Sequence, residues 1–429
     1  MRILMLGASG LIGSAAVARL SSDGHQIIAV GRRSGLPALG VTEQFRLDIA
    51  KTTDPAAWEP HLAGIDAVVN CAGVLQDAPG SSTSGVHERG VSALFSACER
   101  RGIRRVVHLS AVGVDRQTPT AFSRSKLAGD TALMALDLDW VILRPSVVVG
   151  RAAYGGSALL RGLAALTFIP TIPETAPLQI VHLDDVVDAI AFFVRPDSPA
   201  RVVLDVVGPK RMTYQEVVGL FRRWMRWPPA KALSIPAWVA GLAYRLGDAV
   251  ALLGWQPPIR STARREMVRG ATGDASQFAR IMGQAPRDVE RCLAAEPASV
   301  QERWFARLYL LKPLVFGILA LFWIATGVVS LGPGWDRGIE LVMEGGTSRP
   351  LAVLAVLSGG LADTAIGLAI AFRRTARLGL YAAFVISIAY AIIGTILVPR
   401  LWFDPLGPML KIGPIMVFNL VALAIHDDR

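Results

Sequence analysis

Between a short apolar run and an apolar helical pattern, the chain places Gly7-Ala8-Ser9-Gly10-Leu11-Ile12-Gly13, a loop whose residue types and spacing suit a pyrophosphate. Its glycines permit a tight turn and a close approach of the phosphates, which then rest on the N-terminus of the helix that Leu11 and Ile12 open. After the second apolar run, the acid that usually binds the ribose of NAD is missing, and Gly31-Arg32-Arg33-Ser34 stands there instead. Two arginines and a serine suit a 2′-phosphate, which favours NADP(H) over NAD(H); ordinary exposed arginines are the alternative. Asp48, with Ile49 beside it, closes a third run where a carboxylate can reach an adenine amino group, although a turn-forming Asp needs no such role. Asn70-Cys71-Ala72-Gly73 supplies a turn of small residues along which a cofactor can lie.

These residues need strands and helices in alternation to hold them. The pattern predicts strands at Ile3–Leu6, Gln26–Val30, Gln44–Leu47, Ala67–Asn70, Arg105–Leu109 and Trp140–Leu143, with helices at Leu11–Ser21, Val91–Arg101 and Ser125–Leu136. Short apolar runs alternating with helical periodicity imply a doubly wound parallel α/β sheet. A glycine pattern alone says little. Placed strand–turn–helix at the start of such a chain, it says much more. The run beginning at Arg2 is too short for a signal peptide and suits a buried first strand.

The 429 residues exceed one ordinary core, and 52% of them are hydrophobic. The excess lies in the last third, where four apolar runs (Pro313–Leu331, Leu351–Phe372, Leu378–Val398 and about Ile412–Ile425) each approach the length of a bilayer core, the last being somewhat short. Lys312 is placed to snorkel at the first boundary. Arg303, Arg307 and Lys312 precede the first run, and Arg373, Arg374 and Arg377 crowd the link between the second and third. The positive-inside rule then predicts four spans in the cell (inner) membrane, with both termini and the arginine link cytoplasmic. Trp304, Trp335 and Trp402 fall near the boundaries, as an aromatic belt requires. The net charge of +10 follows from these membrane-flanking arginines. No aromatic-interleaved basic motif accompanies it, so nucleic acid is not an expected partner.

Asp363 lies inside the second run, and an intramembrane acid is a functional candidate by default. A hydrogen bond to a neighbouring helix or to Thr364 is the structural alternative, and Asn419 in the fourth run reads either as its partner or as interhelical glue. Gly359-Gly360 would let helices approach closely there. Cys71, Cys98 and Cys292 show no CxxC spacing, which points to a reducing compartment. No Ser-His-Asp arrangement or metal-ligand spacing appears, so no metal is expected. His108 reads as core, and His182 reads as a buried residue ahead of an Asp helix cap.

The motifs GASGLIG, LDIA, NCAG, HLSAVG, FSRSK, LRPSVVVG, VHLDDVVDAI and VGPKRMTYQEV, in this order over residues 1–220, resemble the short-chain dehydrogenase/reductase superfamily, in its atypical or extended branch. The resemblance implies a Rossmann fold, a nicotinamide cofactor and hydride chemistry. Lys126 is then expected on the nicotinamide ribose, Ser110 near the family's catalytic Ser/Thr position, and Pro145, Ser146 and Val147 beside the nicotinamide. The family's catalytic tyrosine lies four residues before its lysine, and here that position is Phe122, which has no hydroxyl to exchange a proton. Either Ser110, Ser123, Ser125 or a water replaces it, or the site binds nucleotide without turnover.

Residues 150–170 and 221–300 are expected to form a small substrate lobe and linker. Within it, Phe221–Trp227 and the apolar Ile235–Trp255 read either as a surface near the bilayer or as an ordinary amphipathic lid. Residues 301–429, an all-α four-helix transmembrane bundle, resemble the DoxX-like family, whose relatives are associated with quinone-linked redox proteins. Together these resemblances imply a membrane-anchored NADP(H)-dependent oxidoreductase for a lipophilic carbonyl or quinone, or else a non-catalytic NADP(H)-binding redox sensor or assembly factor. The expected partners are the lipid bilayer and a lipophilic small molecule, with a membrane redox partner or a second copy of the chain also compatible.

Overall fold

The computed structural model describes residues 1–32, 38–171 and 175–426. It divides into two compact units: Met1–Asp248 with Pro257–Ala306, and Ala249–Gln256 with Arg307–Arg429. The lobe expected over 221–300 is thus part of the first unit, apart from Ala249–Gln256.

In the first unit, β1 (Arg2–Leu6), β2 (Gln26–Gly31), β3 (Glu43–Arg46), β4 (Ala67–Asn70), β5 (Arg105–Leu109), β6 (Asp139–Pro145) and β7 (Val202–Val206) form one sheet in the order β7-β6-β5-β4-β1-β2-β3. Every pairing is parallel. Successive side chains point to opposite faces, so one strand serves two layers. Ile3 and Met5 pack with Ala16, Val17 and Leu20 of α1 (Leu11–Ser22). Leu4 and Leu6 pack on the other face with Leu94, Phe95 and Cys98 of α2 (Gly90–Arg100). Each buried Ile, Leu, Val, Met or Phe side chain among these contributes about 1.5–3 kcal/mol. The winding reverses between β1 and β4, where Leu6 lies opposite Asn70. This switch point sets the glycine loop beside the Asn70–Gly73 turn, the crevice in which such sheets bind ligands.

Several elements differ from the sequence reading. The helix expected from Ser125 is α3 (Ala121–Met134), because Thr120 caps it and exchanges hydrogen bonds with Ser123. A π-helical turn, Gly85–Arg89, leads into α2. β7 is an additional edge strand. His182, not the Asp after it, caps α4 (Leu183–Phe193), its Nδ1 accepting from the Asp184 amide. The tract Phe221–Trp227 is largely internal. Phe221, Arg222 and Trp224 are buried, and the Arg222 guanidinium donates to the carbonyls of Ala164, Leu166 and Pro228. In contrast, α5 (Ala237–Leu252) exposes Trp238 and Leu242 and is followed by α6 (Ser261–Arg269).

Among the described residues three helices are long and apolar enough to cross a membrane: α7 (Val300–Leu331), which belongs to the second unit from Arg307 on, α8 (Arg349–Ala371) and α9 (Ala376–Leu397). The expected fourth span is α10 (Ile412–His426), which at 15 residues is shorter than these. The loop expected between the first two spans contains a helix, Trp335–Glu344. α7 and α8 cross closely, since a Cβ on Gly367 would lie 2.7 Å from the Ala320 carbonyl and one on Gly327 would lie 2.5 Å from the Gly360 carbonyl. Asp363 is buried and accepts from the Tyr390 hydroxyl of α9 at 2.8 Å. Asn419 is not its partner; its amide donates to the Ile415 carbonyl one turn back. The indole of Trp255 donates to the Ala371 carbonyl at 2.8 Å and lies 4.8 Å from the Phe316 ring.

Candidate functional site

The glycine loop is fixed by backbone geometry. Gly7 has φ +72°, and a Cβ there would lie 2.7 Å from the Cys71 carbonyl. A Cβ on Gly13 would lie 2.0 Å from the Gly7 carbonyl oxygen, so only glycine lets α1 start this close to β1. Gly10 caps α1 with extended backbone and no side-chain cap. The first amides of the helix, at Leu11 and Ile12, therefore keep the unsatisfied donors of a helix N-terminus. A Cβ on Gly10 would meet nothing nearer than the Gly7 carbonyl at 3.3 Å, and Ser9 is exposed at the rim. Open donors above a small-residue loop fit a pyrophosphate.

At the adenosine end, Arg32 is exposed and donates to the Gly80 carbonyl at 3.2 Å. Arg33 and Ser34 lie outside the described residues. Asp48 accepts from the Ala50 amide at 3.2 Å, so the turn-forming role is real, and the half-buried carboxylate keeps a second oxygen. Ile49 sits under α2, where a Cβ on Gly90 would lie 2.0 Å from the Ile49 carbonyl.

At the nicotinamide end, Phe122 and Lys126 lie one turn apart on α3. Lys126 is 4% exposed, and its Nζ donates to the carbonyls of Leu109 (2.7 Å) and Ala72 (3.3 Å). Burial lowers its pKa to about 8 against the opposing pull of Asp130 and Cys71. Burial likewise raises the Cys71 thiol to about 12, so it stays protonated beside the turn. A Cβ on Gly73 would stand in van der Waals contact with Lys126 Nζ (3.9 Å) and His87 Nε2 (3.8 Å), so this exposed turn lies directly against both side chains.

His87 belongs to this site, and the sequence reading missed it. Its Nε2 accepts from the Val74 amide at 2.9 Å, so the neutral ring carries its proton on Nδ1 and donates to Ser125 Oγ at 3.0 Å. Ser125 in turn donates to the Phe122 carbonyl at 3.0 Å. Burial, reinforced by the Lys126 charge, pushes the His87 pKa well below its usual value. The His87 ring meets the Phe122 ring edge-on, with centroids 5.6 Å apart.

Ser110 does not face the crevice as a free hydroxyl, because it donates to Asp130 Oδ2 at 2.9 Å. Arg144 donates to the same oxygen at 3.0 Å and pairs with Asp115 at 2.7 Å. Asn70 donates to His108 Nδ1 at 2.9 Å, which turns the protonated Nε2 of the neutral ring toward Asp130 Oδ1, 3.5 Å away. Burial pushes the Asp130 carboxyl up, but His108, Ser110 and Arg144 outweigh it and hold it below the usual carboxylate range. Ser123 is closed into the Thr120 cap. All three serines offered as replacements for the tyrosine are therefore engaged within the protein. Pro145, Ser146 and Val147 follow as one pinned segment, with the Ser146 amide bonded to the Val206 carbonyl and its hydroxyl to the Gln179 carbonyl.

Comparison with known proteins agrees with this geometry. Residues 7–162 match an NAD(P)H-binding family and residues 320–420 match the DoxX-like family. The chain is 29% identical over 312 residues to the UDP-glucose 4-epimerase of Mycolicibacterium smegmatis, covering 60% of this chain and 94% of that one. It is 21% identical over 216 residues to the ceramide reductase of Caulobacter vibrioides, covering 50% and 68%. The solved UDP-glucose 4-epimerase of Thermotoga maritima with UDP-glucose shares the fold with a TM-score of 0.52 at 16% identity, covering 72% of this chain and 100% of that one. The chain thus joins an NAD(P)-binding Rossmann domain, of the short-chain dehydrogenase/reductase-like type, to a C-terminal DoxX-like domain. Its first domain binds a nicotinamide cofactor.

Proposed function

We propose that this chain is a membrane-anchored NADP(H)-dependent oxidoreductase acting on a lipophilic carbonyl or quinone. The observation that carries the reading is the buried Lys126 beside the exposed Gly73 turn, in line with a glycine loop whose helix donors are free, in a chain with three membrane-length helices. A reduced nicotinamide, when bound, supplies a hydride. Lys126 holds the ribose side of the crevice, and the Leu11 and Ile12 amides hold the pyrophosphate. With Ser110, Ser123 and Ser125 engaged, the proton that completes reduction comes from water. Quinone reduction tolerates this better than carbonyl reduction, because the reduced quinone oxygens are weaker bases than an alkoxide. The relative named as a ceramide reductase supports a lipophilic substrate. Arg32 supports NADP(H): Arg32→Ala is expected to weaken NADPH binding about tenfold while leaving NADH binding unchanged. Equal losses for both cofactors would reject the 2′-phosphate role.

Phe122 favours a second reading, a non-catalytic NADP(H)-binding sensor or assembly factor of a membrane complex. Sugar-nucleotide epimerisation, the activity named for two of the similar proteins, relies on the missing tyrosine and ranks third. The separating experiment follows NADPH oxidation by the detergent-solubilised full chain with a short-chain quinone and a panel of lipid aldehydes and, on a separate arm with NAD⁺, conversion of UDP-glucose to its 4-epimer. Turnover above that of a Gly13→Ala variant supports the enzyme. Cofactor binding with no turnover on any arm refutes it.

For topology, we propose four spans with both termini cytoplasmic in the cell (inner) membrane. Arg373, Arg374 and Arg377 between α8 and α9 support this arrangement. α10 is the shortest of the four: at about 1.5 Å per residue it falls short of a 30 Å core, and the proposed crossing uses its flanks.

A further inference from the structure

The first unit carries a cleft of about 760 Å³ between α5 and α6 that none of the cofactor residues lines. Ser261, Arg264, Arg265 and Val268 face it from α6 at the i, i+3, i+4, i+7 spacing of one helix face. Trp238, Leu242 and Arg245 face it from α5. The chemistry of the two walls is divided. Trp238 is 74% exposed and Leu242 51% exposed, an apolar stripe left in water. The guanidinium groups of Arg245, Arg264 and Arg265 have no ion-pair or hydrogen-bond partner among the described residues, and no acid among those residues lines the cleft. The neighbouring arginines differ, since Arg260 pairs with Asp248 at 3.0 Å and Arg269 with Glu266 at 2.9 Å. Three uncompensated cations beside exposed Trp and Leu match a ligand with an anionic head and a hydrocarbon body.

We propose that this cleft binds a phosphate-bearing amphiphile, with its head between Arg245, Arg264 and Arg265 and its chain along Trp238 and Leu242. Arginine forks suit phosphate oxygens, and the indole with its neighbouring leucine covers hydrocarbon. The cleft meets the N-terminus of the helix that carries Phe122. Pro119 lines the cleft, the next residue, Thr120, caps that helix, and Thr120 is hydrogen-bonded to Glu266 of α6. The inference rests on the oxidoreductase reading and deepens it by naming the substrate class: a lipid carrying phosphate, with its reducible group in the crevice.

The test uses the full chain in detergent with a diazirine-tailed phosphatidylglycerol and the matching phosphatidylcholine, mapping photolabelled peptides by mass spectrometry. Labelling within residues 237–268 is expected with the anionic probe at least fivefold above the zwitterionic one. It should fall at least fivefold in Arg264→Ala/Arg265→Ala and stay near wild type in Arg264→Lys/Arg265→Lys, which keeps the charge if the alanine pair misfolds. Unlabelled phosphatidylglycerol should compete, whereas inorganic phosphate and UDP-glucose should not. Equal labelling by both probes, no labelling of this segment, or competition by phosphate or UDP-glucose overturns the proposal. Labelling needs no turnover, so it can fail while cofactor oxidation succeeds, or succeed while oxidation fails.

Discussion

Phe122→Tyr restores a hydroxyl one helical turn from Lys126, and the structure says what it should gain. Phe122 is half-buried, with its ring edge-on to His87. A phenol therefore fits without repacking the core. Lys126, lowered to about 8, remains mostly protonated at neutral pH. An ammonium at that range depresses a phenol by about 1–3 pH units from its ordinary value near 10, which brings it close to the operating pH. A positioned acid of that strength is worth roughly 10²–10⁴ in rate, or about 3–5 kcal/mol of barrier. The assay is NADPH oxidation by the solubilised full chain with a lipid aldehyde and, in parallel, a short-chain quinone. Aldehyde turnover should rise about a hundredfold, at the low end because the phenol was not selected in place, while quinone turnover stays within about threefold. No change with the aldehyde, with cofactor affinity retained, would refute the placement of Phe122 at the proton-transfer position.

Three further perturbations follow from the same geometry. Gly13→Ala puts a Cβ 2.0 Å from the Gly7 carbonyl, so α1 must shift; NADPH binding should be lost and thermal stability should fall by about 1–3 kcal/mol. Lys126 has a folded pKa below its unfolded one, so between pH 8 and 10.5 the unfolded chain holds more protons and stability rises with pH. Relative to Lys126→Met, the wild type should gain on the order of 3 kcal/mol across that window in denaturant titrations, and a flat difference would contradict the burial of the ammonium. Arg161 is almost fully buried; it donates to the carbonyls of Gly150 and Arg151 and stacks over Phe221 (5.3 Å) and Trp224 (4.9 Å). Arg161→Met should cost about 2–4 kcal/mol through two orphaned carbonyls and the lost stacking, read as a lower melting temperature with NADPH affinity retained.

The parts of this site legible in the sequence are those whose chemistry is local. β1, the glycine loop and α1 announce themselves because a strand buried on both faces is continuously apolar and the turn after it must be glycine. The start of α3 was missed because its capping box uses Ser123 at the third position, where the usual signature carries Glu or Gln. His87 gave no signal at all. It is a single histidine in a π-helical turn, and it enters the site only because a Cβ-free Gly129 lets α3 approach within 2.1 Å, as measured from an ideal Cβ, of the His87 carbonyl. Arg161 reads as a surface residue in any composition argument, yet two backbone carbonyls and two aromatic faces make its burial tolerable. The composition of Phe221–Trp227 admits either a bilayer surface or an ordinary amphipathic lid; in the structure Arg222 and Trp224 are used internally, while Arg223 and Arg226 are exposed.

The scaffold that holds Lys126 is independent of residue 122. Asp130, one turn further along α3, is held by Ser110 and Arg144 at the sheet ends, and Asn70 orients His108 toward the same carboxylate. Gly129 sets the approach of α3 to the His87 turn, and Lys126 reaches two carbonyls at the ends of adjacent strands, Ala72 after β4 and Leu109 of β5. None of these contacts involves the Phe122 side chain. The loss of the hydroxyl therefore removes a proton carrier while leaving the cofactor geometry standing. That separation is why cofactor affinity and turnover are expected to respond differently at position 122 and together at Gly13. An enzyme that draws its proton from water and a module that only binds nucleotide share every residue of this scaffold, and they part only in what happens to an acceptor brought to the exposed Gly73 turn.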